Sequence, residues 1–160
     1  MADEIASDIA SGALYLSPRL TPSGRRDYPK MLAAAAAKGS PDSLAAILRP
    51  LMAAKEMSTS KTGKPYEKNV PVNAAESLAE GEFNRFYVRA VCLTALANGC
   101  QEVEVYRAKP VSTPRPESEA RIGKRIDAAK LLADVRTTVR TDTALGVPAG
   151  PNSGLSAKLF

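Results

Sequence analysis

The residues best placed to do chemistry are two acids on an alternating run. Glu102 and Glu104 lie in Gln101–Arg107, with Arg107 and Lys109 just after them. Carboxylates two apart on a strand are one way to hold magnesium, as in a metal-dependent nuclease. That pattern also wants an acid-x-lysine at the strand end and an aspartate upstream. Here the lysine comes five residues after Glu104 and no suitable aspartate precedes it. Solvated carboxylates on a strand face are the better reading. The chain has no histidine, which removes Ser-His and Cys-His nucleophiles and the commonest zinc ligand. Its two cysteines, Cys92 and Cys100, make neither a four-thiolate metal site nor a disulfide framework, and are expected to be reduced. Ser60-Lys61-Thr62-Gly63-Lys64 has glycine and lysine without the spacing of a phosphate loop. The residues therefore point to no enzyme, no metal and no cofactor.

Whatever these residues do, one stretch must organise them. Asn73 to Asn98 is the longest helix the sequence predicts. Asn73-x-x-Glu76 resembles a capping box, and Asn98-Gly99 is a normal stop. Ala79, Phe83, Phe86, Ala90, Leu93 and Ala97 follow helical spacing as an apolar seam. Val88, Val91, Cys92, Ala95 and Leu96 widen it. Arg85 and Arg89 share a face, with Glu82 a turn earlier. Before this helix, Asp27 is expected to cap Tyr28–Lys38. Ser40-Pro41 then opens a second helix with Leu44, Ile47, Leu48 and Leu51 inward, and Pro50 kinks or ends it. A short connection makes these two an αα-hairpin. Residues 58–72 read as a polar loop. After the central helix, residues 101–107 are the clearest strand, with Val103 and Val105 facing one way. Its partner is expected in Arg121–Ile126, in the last residues, or in another molecule. Residues 109–119 hold Pro110, Pro114 and Pro116 and should run extended. Asp127 caps a last helix, from Ala128 to about Val139.

The fold class expected is mainly α with a small β element (α+β). A central buried helix is packed by an αα-hairpin and a C-terminal helix. Residues 1–26 read as an N-terminal arm, 27–142 as one compact helical domain and 143–160 as a C-terminal arm. The acids near the start and the lack of a basic n-region argue against a secretory signal, and no apolar run approaches a membrane span. The net charge is +5 with pI near 9.3, which favours acidic partners in general. A nucleic-acid surface would draw on Arg85, Arg89, Arg107, Lys109, Arg115, Arg121, Lys124 and Arg125. Only Tyr106 lies among them for base stacking.

Residues 80–90 (EGEFNRFYVRA) and 105–120 (VYRAKPVSTPRPESEA), together with GPNSG at 150–154, resemble segments of virion-associated proteins of tailed bacteriophages and prophages. The resemblance implies a structural, non-catalytic role in the virion, assembled in the bacterial cytoplasm. It implies capsid, portal or tail subunits as partners, together with copies of the chain itself. A head-associated minor capsid, cement or head–tail joining protein is the expected form. The alternative is a basic nucleic-acid-binding or regulatory protein, and a nuclease ranks last. The expected contact residues are Leu14, Tyr15, Leu16, Arg25 and Arg26 in the first arm and Val103, Val105, Arg107, Lys109 and Arg115 around the strand. Leu155, Leu159 and Phe160 are those of the tail, and removing residues 147–160 is expected to leave a folded monomer.

Overall fold

A hydroxyl residue followed by proline starts two of the early helices. In the computed structural model, which describes residues 1–138, 146–147 and 153–160, α2 (Pro22–Lys38) opens on Thr21-Pro22 and α3 (Pro41–Leu48) on Ser40-Pro41. Each hydroxyl accepts an otherwise orphaned backbone N–H: Gly24 N to Thr21 Oγ1 at 3.1 Å, Ser43 N to Ser40 Oγ at 3.1 Å. Proline at the first helical position costs no hydrogen bond. About 51% of the described residues are helical and 17% are strand, so the fold is mainly α with a small β component. The chain divides into two compact units, Glu4–Glu80 with Ala2, and Gly81–Phe160 with Met1 and Asp3, rather than one domain flanked by arms.

In the first unit, α1 (Ala2–Ser11) covers much of the expected arm and buries Ile5 completely. The arm reading of residues 1–26 is thus corrected. Those residues hold α1 and the first turn of α2, which begins at Pro22 and not at Tyr28. Tyr28, Leu32 and Ala35 form its buried face. On α3, Leu44, Ala45 and Leu48 are buried while Ile47 is 47% exposed. A 3₁₀ turn over Arg49–Leu51 carries Pro50, where the α-helix ends. Residues 58–72 are not a plain loop. They hold most of an antiparallel hairpin, β1 (Lys55–Thr59) and β2 (Pro65–Asn69), in register Lys55↔Asn69 to Thr59↔Pro65. Gly63 turns the tip with φ of 80°, a conformation that suits glycine.

The helix α4 (Ala74–Ala97) matches the expected span closely. It ends as a Schellman motif. Cys100 N donates to Ala95 O at 2.9 Å and Gly99 N to Leu96 O at 3.1 Å, with Gly99 at φ 75°. The buried stripe of its second half is Val88, Val91, Cys92 and Ala95, while Leu93 is 37% exposed. The seam expected through Leu93 and Ala97 is therefore rotated. The buried side is the one that packs into the core, Val88, Val91, Cys92 and Ala95, although Leu93 is the larger side chain.

The core of the second unit forms where that stripe meets a three-stranded antiparallel sheet and α6 (Ala128–Thr137). The strand order is β4 (Arg125–Asp127), β3 (Glu102–Arg107), β5 (Leu155–Lys158). Both intrachain candidates for the strand's partner are realised, one on each side of β3. Val103, Val105, Leu155 and Ala157 point into the core and are fully buried. Residues 155–158 are therefore a core strand and not a free arm. Asp127 caps α6 through Lys130 N at 2.8 Å. Leu131, Leu132 and Val135 line its inner face; Val139 lies outside the described residues. Residues 109–119, expected to run extended, do not do so throughout: Pro116–Glu119 form a short helix, α5, opened by Pro116 at its first position.

Candidate interaction surfaces

The two arginines of α4 do not reach a surface. Arg85 is 5% exposed and Arg89 fully buried. Arg85 Nε donates to Val135 O at 3.1 Å and Arg89 Nη2 to the same oxygen at 3.4 Å. That carbonyl lies in the last turn of α6, where the helix dipole presents partial negative charge. Glu82 Oε1 lies 3.7 Å from Arg85 Nη1. The Phe86 ring faces the Arg89 guanidinium at 4.8 Å, a cation–π contact that gains from desolvation. These groups offset the cost of burying charge. Arg85 and Arg89 thus leave the nucleic-acid surface expected for them.

The remaining residues of that surface scatter into local contacts. Arg107 donates to Ser153 O at 2.7 Å and pairs with Glu119. Arg125 stacks over Phe160 at 4.0 Å. Lys109 and Arg115 are exposed, and Arg115 lines a cavity of about 220 Å³ with Val111, Thr113, Pro114, Ser118 and Ser153. On the outer face of the sheet Lys158 Nζ lies 3.0 Å from Glu104 Oε1. The acid that a nuclease would need for its metal is engaged by an ammonium. Among the described residues no three acids or cysteines gather as a metal site. Burial pushes the Cys92 thiol up to about 11, so it is a poor nucleophile near neutrality.

The expected contact residues divide between core and surface. Leu14 is buried, Tyr15 half-buried and Leu16 44% exposed. Arg25 donates to Pro18 O at 2.7 Å and Leu20 O at 3.2 Å, tying the entry to α2 in place. Arg26 pairs with Asp27 at 3.0 Å in solvent. Val103, Val105 and Leu155 are core residues and are withdrawn as contact residues. Leu159 and Phe160 remain 45% and 57% exposed.

The surface that sequence reasoning missed is the hairpin β1–β2. Every residue of β2 is exposed, and β1 alternates between exposed and half-buried. Its base is fastened by Arg19, whose Nε and Nη2 donate to the two oxygens of Glu56 at 2.6 and 3.0 Å. Lys68 adds a weaker contact to Glu56 at 3.5 Å. The Arg19 guanidinium holds the Glu56 carboxyl below its usual range. Across the other face Lys55 pairs with Glu67 at 2.5 Å, and Met57, opposite Glu67 in the register, stands 68% exposed. Lys61 and Lys64 at the tip make no ion pair with a described residue. A readable signal was present: Lys-Thr-Gly-Lys is a tight-turn sequence. Its flanks lack the apolar alternation that marks a half-buried strand.

No protein-family model, curated protein or solved structure matches this chain. Among the described residues no helix is long and apolar enough to cross a membrane.

Proposed function

We propose that this chain is a non-enzymatic structural protein of a tailed-phage particle. In this reading it is head-associated, as a minor capsid, cement or head–tail joining subunit, and fastens neighbouring subunits. The observation that carries the reading is the hairpin Lys55–Asn69. It is a two-stranded sheet without a core of its own, exposed along β2 and on the outer face of β1. Such a ribbon is marginal in water unless something packs on it. A neighbour that covers it offsets the entropy of holding it in one shape. Leu159 and Phe160 add a second exposed apolar point. The tie between subunits is thereby moved from the chain's ends to a hairpin within it.

The test is to trim the hairpin without disturbing its base. Replacing Met57–Glu67 by Asn-Gly closes the ribbon at the Glu56–Lys68 pair with a two-residue turn and keeps the Arg19 contact. The expected result is an unchanged melting temperature and loss of the protein from purified particles. Normal incorporation of the trimmed chain would reject the hairpin as the tie.

A further inference from the structure

The hairpin has one edge that begins to pair and then stops. Leu20 bridges Met52, Thr21 N donates to Leu51 O at 2.9 Å, and Ala53 N donates to Arg19 O at 2.7 Å. The outer side of the segment leading into β1 is thus already a two-stranded antiparallel ladder. The companion segment then leaves. Leu20 N donates to Ser17 O at 3.2 Å, closing a turn that carries the chain away from β1.

The groups facing outward beyond that point follow from the register. Val70 N donates to Ala54 O and Ser60 N to Lys64 O. Antiparallel pairs alternate, so 56/68 and 58/66 are the hydrogen-bonded pairs between them. The N–H and C=O groups of Lys55, Met57 and Thr59 therefore point away from β2, in line with Ala53. Among the described residues no backbone group pairs with them. The β2 edge differs, because Pro65 stands on it in an outward position, and proline blunts an edge. The open edge is that of β1.

We propose that the β1 edge receives an extended acidic segment of another protein as an added strand, continuing the ladder that residues 19–21 begin. The proposal rests on reading the hairpin as a docking arm and names what docks. Main-chain bonds to Lys55, Met57 and Thr59 give the register. An apolar side chain lies against Met57. Carboxylates reach Lys61 and Lys64, the two tip ammoniums that Glu56 and Glu67 leave unneutralised. A second copy of this chain is a poor occupant. Its net charge is +5, and its described acids stand on helices, within the hairpin itself, or on strands already paired in its own sheet. Nucleic acid is also a poorer fit, since it offers no backbone donors and acceptors in strand register, and two free ammoniums make a small phosphate footprint.

The experiment uses the full isotope-labelled chain and a capped hexapeptide of alternating glutamate and valine. Binding is expected to slow hydrogen exchange at the Lys55, Met57 and Thr59 amides. Three controls accompany it: the same peptide with lysine for glutamate, the same peptide N-methylated at alternate residues, and a dT12 oligonucleotide. All three are expected to bind at least roughly tenfold more weakly, as is the acidic peptide to the Lys61→Glu, Lys64→Glu double variant. Met57→Pro removes one outward N–H and no bond to β2, and is expected to abolish binding. Thr59→Pro serves if that variant does not fold. Equal binding of the N-methylated peptide, tighter binding of dT12, self-association of the chain through these amides, or no binding of the acidic peptide would each overturn the proposal. These outcomes are separate from particle incorporation, so peptide capture by a protein absent from virions would refute the virion reading alone.

Discussion

Replacing Leu155 by alanine tests whether the last strand is structure or tether. The side chain is fully buried in a cluster with Val103, Val105, Val147 and Ala157. Truncating a buried leucine removes transfer energy and leaves a cavity, about 2–5 kcal/mol in all. The leucine lies on a sheet edge where partial collapse is possible, so about 3 kcal/mol is the figure to expect. For a chain of this size each kcal/mol moves the melting temperature by about 2–4 °C, so a fall of roughly 6–12 °C follows. The control is Leu159→Ala, four residues on and 45% exposed, which should stay within about 0.5 kcal/mol of the parent. Urea unfolding followed by far-ultraviolet circular dichroism measures both, with the midpoint moving and the slope unchanged. A Leu155→Ala protein as stable as its parent would mean that residues 155–158 do not close the sheet, and the arm reading of the tail would return. Removing residues 147–160 should unfold the second unit rather than merely untie it.

Thr21→Ala removes the cap of α2 and should cost about 1 kcal/mol, with Thr21→Ser close to neutral, by the same unfolding assay. A thiol reagent at pH 7.5 should modify only Cys100 in the native chain and both cysteines after denaturation, since Cys100 is exposed and Cys92 buried. The Cys92 thiol, raised to about 11 when folded against about 8.5 unfolded, contributes stability that is complete below the unfolded value. That contribution is lost as pH climbs through the window between the two, so Cys92→Ala should flatten the alkaline limb of the stability curve. The Glu56 carboxyl has the opposite sign. Arg19 lowers its folded value, so its contribution is full above the unfolded value of about 4.3 and fades as pH falls through the folded one. The melting-temperature gap between the parent and Glu56→Gln should therefore shrink from pH 7 toward pH 3.

What the residues disclosed depended on how strongly local chemistry and burial agreed. Ser40-Pro41 and Asp127 announced their helices, and the alternation of Val103 and Val105 announced β3. The same signal at Thr21-Pro22 stands in a stretch rich in turn residues, and Gly24 and Pro29 weigh against a helix by propensity. Packing overrode them: Gly24 sits where an added Cβ would come 3.0 Å from Leu51 O, so only glycine lets the two segments approach. Arg85 and Arg89 read as surface because charge normally is. Nothing local tells that the end of another helix awaits them. The hairpin was hidden for the reverse reason. A ribbon exposed on most of its surface carries little hydrophobic alternation, and so it left the faintest trace.

The most direct check of the proposed virion role is mass spectrometry of virus-like particles purified from a host that encodes this sequence, with quantification against the major capsid protein. A virion structural role predicts the full chain in every preparation, at many copies per particle and resistant to a high-salt wash. Its absence from intact particles, with the protein found only in the soluble lysate, would contradict the account.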